Sequence, residues 1–103
     1  MGRKARMQPK RLAQKLLQIR QKLSLSQSEM LRCLGFEEEM DYRRISEFER
    51  GTTEPHLLVV LHYARVAGIQ MEDIVDDALE LPQKLTGFST YQASKTKLAS
   101  KRR

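Results

Sequence analysis

Asp41-Tyr42-Arg43-Arg44-Ile45-Ser46-Glu47-Phe48-Glu49-Arg50-Gly51 closes a longer stretch, Leu25 to Gly51, around which the chain is organised. The segment predicts a short helix with a capped start and a glycine stop. Asp41 can accept a hydrogen bond from a free amide N–H at the helix start. Gly51 can take the left-handed conformation that ends a helix. Ile45 and Phe48, three apart, make one apolar stripe, and Tyr42, Arg43, Ser46, Glu47 and Arg50 cover the rest. A helix with so little to bury, but with arginines and hydrogen-bonding groups on its outer face, suits a polar partner.

The preceding segment predicts a second helix. Ser26 and Glu29 have the spacing of a capping box, in which each side chain bonds the other's backbone N–H. Met30, Leu31 and Leu34 follow as apolar positions, and Gly35 stops the helix. Two short capped helices joined by a glycine turn fit a helix-turn-helix, whose second helix enters the DNA major groove. The same local signals also fit two core helices of any small helical domain.

The ordered set Leu25-Ser26-Gln27, Gly35, Ile45-Ser46, Phe48-Glu49-Arg50-Gly51 and Pro55 resembles the Cro/C1-type (XRE, phage-repressor-like) helix-turn-helix family. The resemblance runs from about Leu12 to Val75. It implies an all-α, five-helix lambda-repressor-like domain that binds double-stranded DNA sequence-specifically as a transcription regulator. Its recognition helix would be about 41–50, and it would form a homodimer through the helix-five region. Two features depart from the family pattern. Leu31 replaces the usual small residue of the second helix, and the ten-residue step from Gly35 to Ile45 is longer than usual. The insertion carries Glu37, Glu38 and Glu39 and lengthens either the turn or the recognition helix.

The resemblance also assigns roles. Tyr42, Arg43, Arg44, Ser46 and Glu47 align with the outward, base-reading positions. Arg43 is the first choice, because a guanidinium fork can grip guanine O6 and N7 together. Arg44 can read a base or a phosphate, Glu47 can accept from a cytosine amino group, and Tyr42 can touch a thymine methyl or a phosphate. Gln27, just past a helix cap, can reach a phosphate with help from the helix dipole. Arg50, Thr52 and Thr53 occupy a loop used for phosphate contacts, which position the protein without reading sequence. Each of these side chains would otherwise be solvated surface, or in the case of the threonines would satisfy loop backbone. Arg20 and Glu49 are implied to be a structural ion pair between the first helix and the recognition helix.

At 103 residues the chain has room for one core with tails, and the 40% hydrophobic content without tryptophan suits a helical core of Leu, Ile and Val. No run of about 18 apolar residues exists, so no membrane span is expected. The start lacks the apolar stretch of a secretory signal. A lone cysteine, Cys33, cannot form an internal disulfide, which points to a reducing cytoplasm. A redox-sensing thiol at Cys33 would need a pKa lowered by nearby positive charge; an ordinary side chain is the alternative.

The net charge is +6, but its distribution says more. Residues 1–23 carry eight basic side chains and no acid, and residues 84–103 carry six and no acid. The middle carries five basic and thirteen acidic side chains. Basic ends around an acidic middle favour a polyanion held by its backbone, or serve only solubility. Residues 1–8 read as a flexible arm in which Arg3, Lys4 and Arg6 can lie in a minor groove or on phosphates.

The domain itself spans residues 9–82. Pro9 suits the start of the first helix. Leu12, Leu16, Ile19 and Leu23 then make one apolar face. Phe36 and Met40 of the insertion are expected to tuck against the core, while the three glutamates point away from DNA or charge the start of a longer helix. The fourth helix is expected from near Pro55 to Ala67. Leu57, Val60, Leu61, Ala64 and Ala67 would face inward, and Leu58 and Val59 would be an apolar surplus. The fifth is expected over Met71 to Leu79, with Ile69, Ile74 and Val75 inward and Leu79, Leu81 and Pro82 available to a second protomer. From residue 83 the chain becomes a basic tail. Leu85, Phe88 and Tyr91 in it are spaced to pack on the domain or to form a partner-induced helix.

No nucleophile–base pair, phosphate loop or metal-ligand spacing is present, so neither an enzyme nor a cofactor is expected; His56 and His62 are isolated. Two alternatives use the same fold. An antitoxin would bind a toxin as well as its operator, through Leu58 and Val59 or the tail. A protein-binding adaptor is favoured by the triple glutamate.

Overall fold

Leu12, Leu16 and Ile19 recur on one side of a single helical stretch, and each is buried. That stretch is α1, Leu12–Lys22, in a computed structural model that describes residues 9–85. It is followed by α2 (Gln27–Leu34), α3 (Arg43–Arg50), α4 (Leu57–Ala67) and α5 (Met71–Val75). The described residues contain no strand, so the architecture is all-α. The arm residues Arg3, Lys4 and Arg6, and Phe88, Tyr91 and the rest of the basic tail, lie outside the described residues.

Local chemistry explains most helix ends. Ser26 Oγ accepts from the Glu29 N–H at 3.1 Å, and Glu29 accepts from the Ser26 N–H at 2.8 Å, completing the capping box. Gly35, Gly51 and Gly68 each end a helix at positive φ. At Gly51, φ is +77°, and the next N–H, of Thr52, bonds back to the Glu47 carbonyl at 3.0 Å, which turns the chain sharply out of α3. Ser24 does the same work after α1 at φ +59°, with Leu25 N–H bonding to the Arg20 carbonyl. A serine there carries the steric cost that glycine avoids.

The start of α1 is capped from a distance. Its own flank offers no side-chain cap. Instead, the Asp77 carboxylate accepts from the Lys10 and Arg11 N–H groups at 2.9 and 3.0 Å. Those two bonds hold the Asp77 carboxyl below the usual carboxylate range. Arg11 adds bonds to the Asp77 carbonyl and to Glu80. The helix therefore begins at Leu12 and not at Pro9.

The core joins α1, α2, α3, α4 and α5 through one buried cluster. Within α4 the buried positions are Val59, Val60, Tyr63, Ala64, Val66 and Ala67. This corrects the expected facing: Val59 is inside, whereas Leu57 is 71% exposed. The helix begins after His56, two residues later than Pro55 suggested. The fifth helix is also shorter than expected, ending at Val75, because Asp76 turns extended and its carboxylate caps the Ala78 N–H. Leu81 and Leu85 pack onto this protein's own core.

Lys15 is fully buried. Its ammonium donates to the carbonyls of Asp73, Asp76 and Leu79 at 2.8, 2.8 and 2.7 Å. The cation thereby takes up two acceptors at the C-terminal end of α5 and a third in the turn that follows. Tyr63 is buried without a hydrogen-bond partner for its hydroxyl among the described residues, and burial pushes its pKa above the ordinary phenol range. The described residues contain no helix long and apolar enough to cross a membrane.

Candidate nucleic-acid interface

The segment between α2 and α3 decides how α3 is presented. Residues 37–39 form a turn, closed by N–H bonds from Glu39 and Met40 to the Phe36 carbonyl. The insertion therefore lengthens the turn and leaves α3 with eight residues. Phe36 and Met40 are half-buried against the core, as expected of anchors for the turn. Phe36 also stacks at a tilt on His62, with ring centroids 5.0 Å apart. His62 Nδ1 lies 3.0 Å from the Leu34 carbonyl at the end of α2.

α3 is held against α1 and α2 by Ile45 and Phe48, which are both buried. Behind it lies a two-point ion pair. Arg20 Nε and Nη2 donate to the two Glu49 oxygens at 2.6 and 3.0 Å, and Nη1 donates to the Leu25 carbonyl. The glutamate side chain is 5% exposed. Gln27 Nε2 joins the same carboxylate at 3.3 Å. One buried carboxylate thus ties α3 to α1 and to the first residue of α2. The Glu49 hydrogen bond also raises the pKa of Arg20.

The opposite side of α3 carries the polar residues. Tyr42, Arg43, Arg44 and Arg50 are exposed, and Ser46 and Glu47 are partly so. Sequence reasoning placed these together, and one short helix does so. It did not foresee how they bond one another. Arg43 is clasped by Asp41 at 3.1 and 3.2 Å, and Arg44 stands 3.6 Å from Glu47. Arg50 Nε donates to the Ser46 carbonyl. Thr53 Oγ1 donates to Glu47, and Thr52 Oγ1 to the Glu47 carbonyl. The two threonines therefore brace the end of α3. Gln27 is likewise occupied by the Glu49 carboxylate.

Acidic groups flank this face. Glu37 pairs with Arg32 at 3.3 Å. Glu39 lines a shallow depression with Met40, Arg44, Phe48, Thr53, Glu54 and His56. Glu39 and Arg44 therefore line the same depression. Acidic side chains beside the arginines reduce the net attraction of this face for any polyanion. The described residues contain no group of three or more His, Cys, Asp or Glu side chains placed to hold a metal ion.

In comparisons with known proteins, no family model, no curated protein and no solved structure matches the chain.

Proposed function

We propose that this protein is a Cro/C1-type helix-turn-helix regulator that binds double-stranded DNA sequence-specifically, with α3 in the major groove. The observation that carries the reading is the two-sided construction of α3. Its inner side is locked by Ile45, Phe48 and the Arg20–Glu49 pair, while Tyr42, Arg43 and Arg44 stand exposed on the other. A rigid helix presenting arginine forks is what reading base edges requires. Arg43 and Arg44 are the base readers, with Tyr42, Ser46 and Glu47 discriminating beside them. Arg50, the Gln27 backbone N–H and the basic ends contribute phosphate contacts. A homodimer would place two such helices on paired half-sites.

The test is selection of bound duplexes from a randomised library at about 150 mM salt, where non-specific binding is weak. Enrichment of a defined motif, with one base preference lost in Arg43→Ala, is the expected result. Binding only at low salt, without any motif, would overturn the proposal.

A second reading rests on Leu57 and Leu58, which are 71% and 57% exposed at the start of α4. Apolar side chains there suit a protein partner, as an antitoxin or adaptor would need. Leu57→Ser with Leu58→Ser would abolish partner capture on that reading and leave DNA selection unchanged on the first.

A further inference from the structure

Arg43 projects from the first turn of α3 with its side chain 75% exposed, yet one edge of its guanidinium is held. Nε donates to one Asp41 oxygen at 3.1 Å and Nη2 to the other at 3.2 Å. Asp41 is itself fixed, because the same carboxylate accepts the Arg43 backbone N–H at 2.8 Å. The carboxylate is thus anchored to the helix start and does not follow the arginine. Hydrogen bonding from Arg43 also holds the Asp41 carboxyl below the usual range, so it is ionised at neutral pH.

A guanidinium has five N–H bonds in a rigid plane. Two of them engage Asp41. Of the remaining three, two lie parallel on the terminal Nη edge, where they match guanine O6 and N7, and the third, on Nη1, points to the opposite flank. Arg44 has no comparable hold, with a single 3.6 Å approach to Glu47.

Building on the DNA-reading function proposed above, we propose that Asp41 is a positioning residue for base recognition. It holds the Arg43 guanidinium with its terminal edge outward and thereby sharpens the preference for one guanine. Its negative charge also offsets that of Arg43, so the pair contributes little to non-specific phosphate binding. Asp41 therefore raises specificity and lowers bulk affinity, and Arg44 reads its base less strictly than Arg43.

Asp41→Asn tests this, because asparagine caps a helix about as well as aspartate but cannot hold both guanidinium donors. Duplexes differing at single base pairs of the selected motif would be competed against wild type, Arg43→Ala and Asp41→Asn. Wild type should favour its guanine by about tenfold or more, and Arg43→Ala should lose that preference. Asp41→Asn should lose about threefold or more of it at the same base pair only, with stronger binding to unrelated duplex. Unchanged preference in Asp41→Asn, or an equal loss at every position, would overturn the inference while leaving the DNA-binding function standing. A motif that survives Arg43→Ala would do the same. Failure of the wild type to select any motif would remove the functional reading and this inference with it. A thermal melt of each variant checks that α3 is intact, and Asp41→Ser, a second capping residue, should repeat the Asp41→Asn pattern.

Discussion

Replacing Lys15 with methionine should destabilise this protein severely without changing its shape. Methionine matches the aliphatic stem and fills the same space, so little cavity is left. The loss is confined to the ammonium, which donates to three backbone carbonyls at 2.7 to 2.8 Å. Hydrogen bonds to a charged group contribute roughly 1.5–3 kcal/mol each, so three set an upper bound near 4.5–9 kcal/mol. Removing the ion also returns its desolvation cost of several kcal/mol. The carbonyls of Asp73, Asp76 and Leu79 stay behind, since they are backbone and cannot be deleted with the side chain. A net loss of about 2–4 kcal/mol follows. A domain of this size holds only about 4–12 kcal/mol, so the loss is a large fraction of its stability. Urea unfolding followed by circular dichroism should show the midpoint falling with the slope unchanged. The melting temperature should drop by about 10–20 °C. If Lys15→Met were within about 0.5 kcal/mol of wild type, the carbonyls would be finding water, and the account of Lys15 as the clamp on α5 would be refuted.

The Arg20–Glu49 pair should behave as a unit. Arg20→Met or Glu49→Leu alone should cost about 3–5 kcal/mol, and the double variant should cost clearly less than their sum, measured by a denaturant double-mutant cycle. Additive losses would show that the two side chains act independently. Two turn positions should move stability in opposite directions. Ser24→Gly should stabilise by about 0.5–1 kcal/mol by relieving a positive φ, and Gly51→Ala should cost about 1–2 kcal/mol. At Gly51 the penalty is backbone strain alone, because an added Cβ would meet Ala13 Cβ at an ordinary 3.6 Å. Thermal melts of both variants test the signs. Asp77 should make stability fall in acid. Its carboxyl is depressed in the folded chain, so its stabilisation is present above the ordinary carboxylate pKa and is lost as pH falls through the lower folded value. Asp77→Asn should therefore be less stable than wild type at neutral pH and show a shallower loss of stability below about pH 4.

Much of the fold was legible because its signals act over three or four residues. The Ser26–Glu29 box, the glycine stops and the Leu12, Leu16, Ile19 period each depend on near neighbours only. The polar face of α3 was legible for the same reason: Ile45 and Phe48 fix which side is inside, and the arginines follow. Asp41 was read as a cap, and it is one. Its hold on Arg43 spans only two residues, but it depends on where the second carboxylate oxygen points, which the helix geometry at Tyr42 decides.

By itself the sequence determined the capped start of α2, the glycine stops of α2, α3 and α4, and which helix is too polar to be core. Tertiary structure decided the rest. Leu57 and Val59 are chemically equivalent neighbours in an apolar run, and only the packing of α4 against the other helices puts one in solvent and the other in the core. The insertion could equally have extended α3, and the seating of Phe36 and Met40 in the core makes it a turn. Lys15 looks like a surface residue until α5 and the turn after it bring three carbonyls to it, and Asp77 like a solvated acid until α1 begins beside it. Their partners lie 58 or more residues away in the chain. The free energy of burying a charge depends on which acceptors surround it, and no local pattern carries that information.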